Sequence, residues 1–147
     1  MNGEIFNYKD IRAELEKEGY KFTTHSDTEV VLTGYIKWGE KILNKVRGMF
    51  AIVIFNKKKN ELFCARDFFG IKPFYYTNQN GQFIFASEIK SILEHPNYKK
   101  SLNVEALEQY LCFQFSALRE TFFKDIYVLP QGHYMKIKNG KTSIKQY

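Results

Sequence analysis

Asn2-Gly3-Glu4-Ile5-Phe6-Asn7-Tyr8 is the stretch around which the remaining sequence organises itself. It joins an Asn-Gly pair, a carboxylate and an aromatic-rich entry into a helix. Asn-Gly tolerates positive φ, so a sharp turn is expected here, with a backbone N–H left unpaired. An Asn side-chain amide beside a free N–H makes a two-donor pocket suited to the oxygen of a tetrahedral intermediate in acyl transfer. Taken alone, Asn2-Gly3 reads equally as an ordinary turn.

The sequence beyond it alternates helical and strand-like segments. Asn7 is placed to cap a helix from Tyr8 to about Glu18, with Ile11 and Leu15 on one face and Gly19 as the stop. Tyr20–Thr23 is expected as a short strand. Ser26-Asp27-Thr28-Glu29 is a capping box ahead of a helix carrying Val30, Val31, Gly34, Tyr35 and Trp38 on one stripe. With Ser26 as N-cap, Asp27 falls in the first turn with a free carboxylate, which the helix dipole favours and which can face a ligand cation. The alternative is that Asp27 is itself the cap. A short helix at Lys41–Val46 precedes Met49–Phe55, an apolar run expected to be buried on both faces. Lys57–Asn60 is a hairpin tip returning the chain into Leu62–Arg66, and Asp67–Pro73 is a loop. Phe74–Tyr76 and Phe83–Phe85 form a hairpin across Asn80-Gly81. Ser87 is expected to cap Glu88–Leu93, and Asn103 a helix through Leu111 with Val104, Leu107 and Leu111 inward. Ile126–Leu129, Tyr134–Lys138 and Thr142–Tyr147 are strands, the last two joined at Asn139-Gly140. Antiparallel pairs with segregated helices argue an α+β layered fold, and residues 1–147, without repeat or linker, read as one domain.

Composition narrows the function classes. Hydrophobic content of 44% and charged content of 26% are those of a globular domain. No apolar run reaches membrane-spanning length and no signal-peptide layout is visible, so the expected compartment is the cytoplasm. Cys64 and Cys112 lie far apart in apolar surroundings and read as buried free thiols. His25, His95 and His133 form no metal pattern. The net charge of +6 would permit nucleic-acid binding. Lys57, Lys58 and Lys59 at one tip, and Lys136, Lys138 and Lys141 around another, are explained more simply as solvated, protected sheet edges. Neither nucleic acid nor membrane is expected as a partner.

Five ordered motifs carry a resemblance: Asn2–Tyr8, His25-Ser26-Asp27-Thr28-Glu29-Val30-Val31-Leu32, Arg47-Gly48-Met49-Phe50-Ala51, Ala65–Tyr76 and Phe85-Ala86-Ser87-Glu88-Ile89-Lys90. Together with Leu129–Tyr134 they resemble the glutaminase domain of glutamine-hydrolysing asparagine synthetases, class II amidotransferases with the N-terminal-nucleophile (Ntn) hydrolase fold. The resemblance implies a four-layer αββα sandwich of mainly antiparallel sheets, with glutamine as substrate. It implies a cysteine nucleophile at the mature N-terminus whose own α-amine, titrating near pH ~8, serves as base. It assigns the oxyanion hole to Asn2 and Gly3, and glutamine binding to Glu4 and Asp27. It implies no cofactor in this domain, and ATP with magnesium in a separate synthetase domain as partner.

The sequence departs from that pattern at its start, where Met1 directly precedes Asn2. Neither the Met-Cys-Gly nucleophile segment nor its arginine for the substrate carboxylate is present, so the 147 residues are expected to be inactive alone and to lack the N-terminal strands. The exposed sheet edges leave a homo-oligomer open. Arg66 and Asp67 read as a loop clamp or a docking surface for the synthetase domain. His25 reads as a turn residue, and the aromatics Phe68, Phe69, Phe74, Tyr75, Tyr76, Phe83 and Phe85 as core and interface. The alternatives are another class II amidotransferase, or a non-catalytic interaction module with the same fold.

Overall fold

The computed structural model describes residues 1–79, 81–114 and 119–147. In chain order the elements are β1 (Asn2–Ile5), α1 (Tyr8–Lys17), α2 (Asp27–Trp38), a 3-10 segment (Gly39–Asn44), β2 (Gly48–Asn56), β3 (Glu61–Arg66), β4 (Tyr75–Gln79), β5 (Gln82–Ala86), α3 (Ile89–Leu93), α4 (Val104–Phe113), β6 (Tyr127–Val128), β7 (His133–Lys138) and β8 (Lys141–Gln146). They gather into two compact units, Met1–Lys72 with Gly132–Tyr147, and Pro73–Gln131.

The first unit is built on a sheet in the order β1-β2-β3-β7-β8, every neighbour antiparallel. Ile11 and Leu15 of α1 and Val30 and Val31 of α2 share one buried cluster with Ile5, Phe50, Ile52 and Phe63 of the sheet. Each such fully buried large side chain contributes roughly 1.5–3 kcal/mol. The helical spacing therefore finds the sheet as expected. The run at Met49–Phe55 is different: Phe50, Ala51 and Ile52 are buried, but Phe55 is 54% exposed. Phe50, Ile52 and Ile54 of β2 face the helices, and by strand alternation Phe55 lies on the opposite face of the sheet, beside the Lys57–Asn60 turn. The β7–β8 hairpin turns at Asn139-Gly140, both with positive φ (50° and 73°), the backbone that a two-residue connection demands.

Tyr20–Thr23 is not a strand. The Thr23 and Thr24 N–H groups, which a ladder would use, donate instead to the Glu29 carboxylate at 2.8 and 2.7 Å. The helix expected at Lys41–Val46 is the tighter 3-10 segment, which starts at Gly39.

In the second unit β5, β4 and β6 form an antiparallel sheet, with Ile92, Tyr98 and Ile126 at the centre of its core. The β4–β5 hairpin forms where expected, though Asn80 of its turn lies outside the described residues. Phe74 stacks on Phe85, and Tyr76 on Phe83, with ring centroids 5.7 and 5.8 Å apart. Asn103 caps α4 by accepting from Ala106 N–H, as the sequence indicates. The inward face of α4 is the expected one only in part: Ala106 is buried and Leu107 half-buried, whereas Val104 and Leu111 are 57% and 72% exposed. Apolar residues occupy too many sides of this helix for periodicity to select a stripe. Glu88, not Ser87, takes the N-cap position of α3. Cys112 is exposed on α4, against the expectation of burial, while Cys64 is buried in β3.

Candidate functional site

β1 carries three of the four expected site residues, and its backbone is unusual. Asn2-Gly3 is not a turn: Asn2 pairs with Ala51, Gly3 with Phe50, Glu4 with Met49 and Ile5 with Gly48. Gly3 does have the positive φ expected of it, +133°, but inside a strand. A Cβ there would stand 2.0 Å from Met49 O and 2.7 Å from Phe50 Cα, so the two backbones approach as only glycine allows. Gly48 does the same from the other strand, where a Cβ would meet Glu4 O at 2.1 Å. In the sequence Gly48 appears only within the Arg47–Ala51 motif; its own signal is its place as the first residue of an apolar strand, as Gly3 is the second of its own.

The ladder sets which way the β1 donors point. Phe50 turns both backbone groups away from β1: its N–H donates to the Asp67 carboxylate at 3.2 Å and its carbonyl accepts from Asp67 N–H at 2.9 Å. Gly3 and Phe50 are thus a non-hydrogen-bonded antiparallel pair, and by alternation the N–H groups of Gly3 and Ile5 face the side of β1 opposite β2. The Ile5 N–H bears this out, since it donates to Asp27 Oδ2 at 3.0 Å.

Asp27 reaches that position from the start of α2. Ser26 is the N-cap, its hydroxyl accepting from Thr28 N–H at 3.1 Å, which leaves Asp27 in the first turn. The Asp27 carboxylate is not free, contrary to expectation. Oδ2 is taken by Ile5, and Oδ1 is approached by the Thr28 hydroxyl at 3.3 Å. The capping box also closes differently. Glu29 does not bond the Ser26 N–H but accepts from the N–H and hydroxyl groups of Thr23 and Thr24. These donors, the Thr23 N–H first, hold its carboxyl well below the usual range, at about 2. Glu4 is exposed on β1.

Two further residues fix this neighbourhood. Asn7 stands at the N-cap position of α1 but makes no cap bond. Its side chain donates to Lys45 O at 2.9 Å and accepts from Arg47 N–H at 2.8 Å, tying the residue after β1 to the approach of β2. Asp67 is 1% exposed. Burial by itself would raise its carboxyl; four backbone donors, Lys72, Ile71, Phe50 and Phe69, outweigh that and hold it below the ordinary range. Arg66 completes the clamp, donating to Lys72 O and Gly70 O at 2.8 Å each. The loop-clamp reading of Arg66 and Asp67 thus describes their contacts. Phe68 and Phe69 of this loop are exposed (53% and 86%), unlike buried Phe74.

Cys64 is not arranged as a nucleophile, since burial pushes its thiol up to about 12; Cys112 is an exposed free thiol on α4. Among the described residues no group of three or more His, Cys, Asp or Glu side chains is placed to hold a metal ion, and no helix is long and apolar enough to cross a membrane.

The glutamine phosphoribosylpyrophosphate amidotransferase of B. subtilis superposes on 99% of this chain and 28% of its own with a TM-score of 0.66 at 20% identity, which shows a shared Ntn-hydrolase α+β fold. Residues 1–147 match the glutamine amidotransferase domain family throughout, and the chain belongs to that family. It is 45% identical over 148 residues to asparagine synthetase [glutamine-hydrolyzing] 1 of Bacillus subtilis (strain 168), covering 100% of this chain and 23% of that protein. Identity to asparagine synthetase [glutamine-hydrolyzing] 3 of the same strain is 38% over 147 residues, covering 99% and 24%. The chain thus spans about a quarter of the length of these curated relatives.

Proposed function

We propose that β1 and the start of α2 form the glutamine site of a glutaminase domain, which supplies ammonia for ATP-dependent synthesis of asparagine from aspartate. The family and the names of the relatives support the reaction class. The observation that carries the site is the Ile5–Asp27 hydrogen bond. It brings a carboxylate to the side of β1 toward which the Gly3 N–H is turned, so an anion-stabilising donor and a cation-binding acceptor share one side of one strand. In this reading Asp27 and Glu4 take the ammonium of glutamine, and Gly3 N–H with the Asn2 side chain faces the amide oxygen. The thiol that attacks the amide is neither Cys64 nor Cys112, and comes from outside these 147 residues. The ATP and magnesium chemistry likewise belongs to a synthetase domain outside them. A cytoplasmic setting accompanies this reading.

Asn2→Ala in the full-length protein, assayed in parallel with glutamine and with free ammonia, tests it. The amide oxygen carries charge only after thiolate attack, so donors aimed at it act on the rate more than on affinity. The glutamine-dependent kcat should fall roughly 10²–10³-fold, about 2.7–4 kcal/mol, with KM little changed and ammonia-dependent synthesis retained. Equal losses with both nitrogen sources would give Asn2 a folding role. A raised KM at unchanged kcat would remove it from the oxyanion site.

A further inference from the structure

Asp27 has two oxygens with two different environments. Oδ2 accepts the Ile5 N–H of β1 at 3.0 Å. Among the described residues Oδ1 meets one long contact, from the Thr28 hydroxyl at 3.3 Å, a rotatable and exposed group. The carboxylate that the proposed function gives to the ligand ammonium is therefore also a strut under the strand that carries Asn2, Gly3 and Glu4.

That strand needs one. β1 is four residues long and has a strand neighbour, β2, on one side. Beyond its C-terminal end the chain is fastened by Phe6 N–H on Arg47 O at 2.8 Å and by the two Asn7 side-chain bonds. These ties hold the far end and face β2. The Ile5–Asp27 bond acts on the opposite side, two residues from Gly3, and is anchored in α2, whose Val30 and Val31 are buried in the core. A strand held from both sides keeps its N–H vectors fixed; one held from β2 alone can rock about the ladder. Gly3, with no Cβ and a positive φ, is the residue at which such rocking would be expressed.

We propose that Asp27 is a positioning residue for the oxyanion strand as well as a ligand for the substrate ammonium. One oxygen aims β1 through Ile5 N–H while the other takes the cation. The proposal rests on the glutaminase reading for its catalytic consequence. It makes Asp27 act on rate and on affinity through separable atoms. An amide oxygen can still accept the Ile5 N–H but carries no charge; a methyl group can do neither.

The test compares Asp27→Asn with Asp27→Ala in the full-length protein, with Ser26→Ala as a stability control. Asp27→Asn should raise KM for glutamine by roughly tenfold or more, as expected for a lost charged hydrogen bond, with kcat within about threefold. Asp27→Ala should raise KM similarly and also lower kcat by about tenfold or more, because the donors on β1 are no longer aimed. Ser26→Ala weakens the same helix start and should leave kcat in place, which separates aiming from mere loss of stability. Hydrogen exchange of the Ile5 amide gives a readout independent of turnover: protected in the parent and in Asp27→Asn, fast in Asp27→Ala. Equal kcat in the two Asp27 variants, or equal Ile5 protection in both, overturns the proposal. If instead the parent protein releases no ammonia from glutamine, or Asn2→Ala is without effect, the glutaminase reading fails, and the exchange measurement still decides whether Asp27 holds β1.

Discussion

A methyl group at position 3 has nowhere to go. Gly3→Ala combines a positive φ, which costs on the order of 1–3 kcal/mol for a side-chain-bearing residue, with a Cβ driven into Met49 O. Chemical denaturation should register a loss at the upper end of that range or beyond; an unchanged midpoint would mean that β1 does not lie against β2 as described. Glu29 sets a pH dependence of definite sign. Its carboxyl titrates at about 2 when folded, against an ordinary 4.5. The stabilisation is therefore full above about 4.5 and is lost as pH falls from there toward 2. Glu29→Gln should flatten the decline of stability across that window, and a variant with the same acid-side slope as the parent would exclude the Thr23–Thr24 collar. At this scale the sequence offers a candidate set: the family resemblance names Asn2, Gly3, Glu4 and Asp27, and the positive φ expected at Gly3 is found. The second engagement of Asp27 was not legible, since a backbone N–H 22 positions away has no sequence signature. Asn7 shows the same limit: a cap residue by spacing, it spends its side chain on Lys45 and Arg47 instead.

Elements follow the sequence where local chemistry and tertiary packing agree. Ser26 is one such case, and Ser26→Ala should lower stability by about 1 kcal/mol, read as a shift in denaturation midpoint. The Asn139-Gly140 hairpin is another, because two residues able to adopt positive φ determine both the turn and the register. Agreement breaks at Tyr20–Thr23, where alternation suggests a strand but a carboxylate from α2 claims the N–H groups. It breaks again in α4, whose several apolar sides leave the buried face undetermined until a small residue, Ala106, is found against the core. This yields a paired prediction. Leu111→Ser should change stability by less than about 0.5 kcal/mol, whereas Ala106→Leu should cost about 1–3 kcal/mol through overpacking. The opposite ranking in a thermal or denaturant series would restore the inward placement of Leu111.

At the scale of the whole molecule, two thiols differ in kind. Cys112 should react with an alkylating reagent in the folded protein, and Cys64, buried with its thiol pushed up to about 12, only on unfolding. Mass spectrometry after brief labelling distinguishes them, and early modification of Cys64 would contradict its burial. The 147-residue polypeptide alone should release no ammonia from glutamine, whether or not Cys112 is blocked; turnover abolished by alkylation would assign the nucleophile to one of its own two thiols. The hairpin between β2 and β3 has a practical use. Its tip, Lys57–Asn60, carries four exposed residues, and from Ala51, the last β2 residue paired with β1, the strand runs on for roughly 17 Å before reaching it. A fluorophore or short epitope spliced between Lys58 and Lys59 would ride on a rigid stem, well clear of Gly3 and Asp27. The tip is thus a ready address for immobilising the protein, or for reporting its distance from any larger partner, without disturbing the residues whose chemistry is being measured.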